Sequence, residues 1–158
     1  MANVDKLSFG EKKLFSIEIQ IDNKYINASL FLNNEEIGNK RENAPLETFV
    51  ALLEDKVNNY GYTTAGRLMN LDKFSIYSYV VDGYRNANNW KDSQTLSYIW
   101  ITLDLTPCFD GEIVILLSSN ENDRVIWRKF KNEDIKEIFL PPGYVLKQMK
   151  SLINKFSQ

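Results

Sequence analysis

The sequence predicts an α+β fold, an antiparallel meander sheet of about six or seven strands with two or three helices packed against it. Three observations carry this. Apolar residues alternate with polar ones in two separate parts of the chain, before residue 40 and after residue 95. Between these parts, and again at the end, the apolar residues recur at helical spacing instead. Short turn signals rather than long crossovers join the alternating runs, which favours antiparallel pairing.

After a short polar lead, Phe15, Ile17, Ile19 and Ile21 alternate with Ser16, Glu18, Gln20 and Asp22, the cleanest strand in the chain. Asp22-Asn23-Lys24 offers a tight turn, and Ile26, Ala28, Leu30 and Leu32 continue the alternation. Asn33-Asn34 is a hairpin signal because asparagine tolerates positive φ, and Glu35 to Gly38 follows as a short strand. A polar linker, residues 39 to 44, leads to Pro45 at the start of a helix. Leu46, Phe49, Val50, Leu53 and Val57 form its apolar stripe, with Asp55 on the opposite side. From Tyr62 to Gln94 no clear period is set. Asp72 is a candidate N-cap for a helix through Val81, with Phe74, Tyr77 and Val81 along one side and Asp82-Gly83 as its stop. Tyr84 to Gln94 then reads as a polar, asparagine-rich loop.

The stretch from Thr95 to Phe130 predicts the centre of the sheet. Ile99, Ile101, Leu103 and Leu105 alternate with Tyr98, Trp100, Thr102 and Asp104 as one strand. Thr106 to Gly111 turns the chain, Ile113 to Leu117 is a second strand, and Val125 to Phe130 a third. Ile135 to Leu140 suits one more strand, Pro141-Pro142-Gly143 breaks it, and a helix over Tyr144 to Lys155 closes the chain. Val145, Met149, Leu152 and Phe156 form the stripe of that helix.

The 158 residues suit one domain, 44% apolar and 25% charged, with a formal net charge of −2 that disfavours nucleic acid as a partner. There is no histidine, which removes the commonest general base and metal ligand, and the one cysteine, Cys108, forms no internal disulfide. No run is long and apolar enough to cross a bilayer and no signal-peptide pattern opens the chain, so the expectation is a cytoplasmic protein without a membrane partner. Nothing matches a phosphate-binding loop, and no cofactor, metal or catalytic set is expected. The nearest approach to a catalytic group is Asp104, Asp110 and Glu112, set around one turn; solvated turn residues look the same.

Binding is better represented. Tyr84, Arg85 and Trp90 are of the residue types that anchor protein interfaces, although the residues by themselves favour a Trp90 folded back to cap the sheet edge. Glu35, Glu36 and Glu42 suit a negative rim that steers a basic partner, although the residues favour a merely solvated turn, and Asp110 and Glu112 add acidic character at the later hairpin.

The segments FGEKKLFSIEIQI, LNNEEIG, PLETFVALLEDKV, TPCFDGEIVILL, DRVIW and LPPGY, in that order, resemble the immunity protein 42 family of bacterial polymorphic toxin and contact-dependent inhibition systems. The resemblance spans nearly the whole chain. It implies a non-catalytic cytoplasmic protein that binds the C-terminal toxic domain of a cognate effector and blocks it by stoichiometric occlusion. The alternatives from the residues alone are an adaptor or assembly domain unrelated to toxins and, third, a small carboxylate-dependent enzyme. Oligomeric state is not legible in the sequence.

Overall fold

A computed structural model describes residues 5–38 and 41–157. It is α+β, as expected, with the strands divided between two antiparallel sheets. The first sheet has β1 (Asp5–Glu11), β2 (Phe15–Asp22), β3 (Tyr25–Leu32) and β4 (Glu35–Ile37) in chain order, and β5 (Ala44–Pro45) pairs with β3. The second sheet is β6 (Ile113–Ser118), β7 (Asp123–Arg128) and β8 (Lys136–Leu140). The helices are α1 (Leu46–Asn58), α2 (Tyr62–Leu68), α3 (Lys73–Arg85), α4 (Trp90–Ser97) and α5 (Tyr144–Phe156).

The register of the first sheet follows its alternation. Phe15, Ile17 and Ile19 stand opposite Leu32, Leu30 and Ala28, and all six are buried. Asn33 and Asn34 both take positive φ, at 52° and 66°, the conformation a two-residue hairpin needs. The lead before Phe15 is an edge strand rather than a polar tail, with Leu7 opposite Ile19 and Phe9 opposite Ile17. Residues 39 and 40 of the expected linker lie outside the described residues. Pro45 caps α1 rather than opening its first turn, with φ −62° and an extended ψ of 133°. Helix α5 packs on α1, β1 and β2.

The strand expected over Ile99 to Leu105 does not form. Residues Ile99 to Thr102 are buried in succession, so the alternation marks no division between a dry and a wet face. The segment makes a single bridge, Trp100 to Ile115, and then coils through tight turns into a 3-10 turn at Pro107–Phe109. Its job is to finish the free edge of β6. The Ile101 amide donates to the Val114 carbonyl and the Leu116 amide to the Ile99 carbonyl, both at 2.9 Å. Thr102 Oγ1 accepts from the Val114 amide and donates to the Glu112 carbonyl. The Tyr60 hydroxyl accepts from the Ser118 amide at 2.8 Å and donates to the Leu116 carbonyl at 2.6 Å. The edge is sealed by two side-chain hydroxyls and one short bridge, so its buried polar groups keep partners without another strand.

The region from Tyr62 to Gln94 contains three helices. Asp72 caps α3 as expected, its Oδ1 accepting from the Ser75 amide at 2.9 Å. The helix does not stop at Asp82-Gly83 but runs on to Arg85. Gly83 has a packing reason: a Cβ there would sit 3.0 Å from Leu96 Cδ1, so the glycine lets α4 approach α3 closely. The buried side of α3 is Ile76, Val80 and Val81, while Phe74 is exposed. In place of a polar loop, Asn89 caps α4 reciprocally with Asp92: Asn89 Oδ1 accepts from the Asp92 amide, and Asn89 Nδ2 donates to Asp92 Oδ2.

At the far side, α5 has Gly143 at its N-cap and no side-chain cap of its own. Its free amides are met by Asp123, fully buried at the start of β7, which accepts from the Gly143 amide at 2.9 Å and the Val145 amide at 3.1 Å. The same carboxylate accepts from Ser118 Oγ at 2.6 Å.

Candidate functional site

Helices α1 and α4 and the turn at Leu103–Asp104 enclose an open cleft of about 310 Å³. The α1 side gives Leu52, Asp55 and Lys56, the α4 side gives Trp90, Gln94 and Tyr98, and Tyr84 comes from the last turn of α3. Reciprocal capping by Asn89 and Asp92 sets where α4 begins, and therefore where Trp90, its first residue, stands. Trp90 is 68% exposed, the most exposed large apolar side chain among the described residues. It does not fold back on the sheet edge. Tyr84 sits edge-on against the buried Trp100 at 5.6 Å between centroids, which holds its ring at the wall of the cleft.

Lys56 is the floor. It falls seven residues after Phe49 and three after Leu53, on the apolar stripe of α1, and is buried with them. Its ammonium donates to the Ser97 carbonyl at 2.7 Å and the Trp100 carbonyl at 3.3 Å, tying α1 to the end of α4 and to the segment that seals β6. Burial pushes the Lys56 amine down to about 8, against the opposing pull of Asp104 and Asp55. Asp55 accepts from Asn59 Nδ2 at 3.0 Å and lies 3.5 Å from the Tyr98 hydroxyl. Asp104, at positive φ (54°), takes no hydrogen bond or ion pair from any other described residue, and its carboxylate reaches Lys56 through space only.

The Lys56 shift has a stability consequence. Below about pH 8 the amine is charged in both states, and its burial subtracts from stability. Between pH 8 and the ordinary lysine value of 10.5 the unfolded chain keeps a proton that the folded chain has released, so stability rises with pH. From pH 8 to 10 the wild-type protein should gain about 2 kcal/mol relative to Lys56→Met, allowing for residual solvent screening. Urea titrations of both proteins at intervals across that range check it, and parallel curves would refute the assignment.

The other expected binding residues lie elsewhere. Glu35 is tied into the join between the sheets: Oε1 accepts from Trp127 Nε1 at 3.0 Å and Oε2 pairs with Lys136. Burial pushes its carboxyl up, but the bonds from Lys136 and Trp127 outweigh it and hold it below the usual carboxylate range. Glu36 is exposed on β4, opposite Phe31 on β3. Glu42 is exposed, and its carbonyl accepts from the buried Cys108 thiol at 3.1 Å. Arg85 ends α3, exposed. Asp110 is exposed beside Gly111, whose φ of 81° suits glycine and above which Phe130 lies too close for any Cβ, at 2.4 Å. Glu112 accepts from the Phe130 amide at 3.3 Å, and burial raises its carboxyl. The carboxylate acting on Glu112 through space is Glu35, not Asp104. Asp104, Asp110 and Glu112 thus form no cluster, and among the described residues no group of three or more carboxylates or thiols is placed to hold a metal ion.

Of the eight expected binding residues, the cleft brings together two, Tyr84 and Trp90. Asp55, Lys56, Tyr98 and Asp104 complete it. The legible signal for Lys56 was a lysine at a stripe position; for Asp104 and Tyr98 there was none, because both depend on the path of a segment that reads as a strand.

No curated protein matches the chain. The crystal structure of CdiI from Burkholderia dolosa AUO158 is similar in fold, with a TM-score of 0.62 at 12% identity over 94% of this chain and 99% of that one. The family model for immunity protein 42 matches residues 4–155, a span that takes in every element from β1 to the end of α5 save its last residue. That match covers nearly the whole chain, and the chain belongs to the immunity protein 42 family.

Proposed function

We propose that this protein binds the toxic domain of a cognate effector in the cytoplasm and neutralises it by stoichiometric occlusion, with no reaction of its own. The observation that carries the reading is the family match across residues 4–155. The site chemistry is compatible with it. The cleft between α1 and α4 joins an exposed tryptophan to two carboxylates, a combination suited to anchoring a protein partner. None of the helices among the described residues is long and apolar enough to cross a membrane.

The test is co-expression. Where a toxic C-terminal domain is encoded immediately upstream, that domain induced in a host cell should stop growth alone and permit it when this protein is present; an upstream gene of another kind would reject the reading. The two purified proteins should elute together as a stable complex on gel filtration. Cell death regardless, or no complex, would reject immunity for that pair and bring forward an adaptor role.

A further inference from the structure

We propose that the cleft between α1 and α4 is the seat for one basic side chain, best an arginine, presented by a protein partner. That the partner is a toxin domain rests on the function proposed above; the seat is argued from its own residues.

Trp90 offers an indole that is 68% exposed, at a position set by the cap of α4, with the rings of Tyr84 and Tyr98 on the same cleft. Aromatic faces attract cations, and guanidinium stacks on indole better than ammonium does. Three charged groups line the cleft: Asp55, Lys56 and Asp104. The Lys56 ammonium is turned into the protein, onto the carbonyls of Ser97 and Trp100. Asp55 accepts from Asn59 and faces the Tyr98 hydroxyl. Asp104 is exposed and accepts from no other described residue. The cleft therefore has one more carboxylate than ammonium, and the carboxylate without a hydrogen-bonded partner lines the same cleft as the exposed indole. A guanidinium fits both: its face on Trp90 and its fork on Asp104. An acidic side chain would meet two carboxylates, and an aliphatic one would cover Asp104 with no partner for it.

Two short blocked alanine peptides, one with a central arginine and one with a central glutamate, are titrated into the ¹⁵N-labelled protein. The Trp90 indole N–H is the reporter; Trp100 and Trp127 are buried. The arginine peptide should shift that resonance saturably, with a Kd on the order of 1 mM, and the glutamate peptide should not. Asp104→Asn should weaken the arginine peptide by about tenfold. It keeps the left-handed backbone, which asparagine adopts readily, so the fold is not at issue. An unmoved Trp90 resonance, equal shifts from both peptides, or unchanged affinity in Asp104→Asn would each overturn the proposal. Should the arginine peptide bind while the toxin domain does not, the seat stands and the immunity reading falls. Toxin neutralised with Trp90 unmoved by either peptide has the reverse meaning.

Discussion

Asp123→Ala is expected to lower the free energy of unfolding by about 4 kcal/mol. The carboxylate is fully buried and accepts from three donors, Ser118 Oγ and the amides of Gly143 and Val145. Alanine leaves all three without their acceptor, and an unmet buried donor costs roughly 1–3 kcal/mol. The Gly143 amide is only partly buried, so water recovers some of that loss. The position magnifies the effect. Asp123 belongs to the second sheet, whereas α5, whose first turn it caps, packs on β1 and β2 of the first. Urea unfolding measures the loss. Asp123→Asn, which keeps one acceptor oxygen, should lose about half as much. A loss below about 1 kcal/mol in the alanine variant would mean that solvent fully replaces the cap.

Tyr60→Phe is expected to cost about 3 kcal/mol while leaving the ring in place. The hydroxyl serves two buried backbone groups at once, the Ser118 amide and the Leu116 carbonyl. Phenylalanine fills the same volume, so no cavity term enters. What remains is the desolvation of an amide and a carbonyl at a strand edge that has no neighbouring strand there to take them. Hydrogen exchange at the Ser118 amide separates this from a general loosening. Its protection should fall further than that of the Val125 amide, in the middle of β7. Equal falls at both amides would mean that the substitution acts on global stability alone.

Much of this architecture is legible in the sequence, for a physical reason. Where one face of an element is dry and the other wet, periodicity reports it: Phe15 to Asp22, Leu46 to Val57 and Tyr144 to Phe156 all stand as their patterns predict. Ile99 to Leu105 does not. Ile99 to Thr102 are dry on both sides because helices, turns and β6 surround them, and alternation among uniformly buried residues carries no direction. Helix α4 was hidden by its composition, since Trp90-Lys91-Asp92-Ser93-Gln94 has no stripe. Its sign was Asn89 three residues before Asp92. The cleft suffers from both failures. Trp90 and Tyr84 stand out by residue type, but the partners that make them a site come from α1 and from the turn after Trp100. The expected rim at Glu35 shows the converse. That carboxylate answers a tryptophan ninety-two positions away, a contact no local pattern encodes.

The sealed edge of β6 bears on how the chain is made. Ile113 to Leu117 is an uninterrupted apolar run of β-branched and leucine residues, the kind of segment that pairs with its own kind in other chains. Its covering groups, Tyr60 and Ile99 to Thr102, all precede it, and β7 follows after the four residues 119–122. A ribosome therefore releases the cover before the hazard, and the second flank within moments after it. The order of residues along the chain limits the time in which this strand is open to a neighbouring nascent chain.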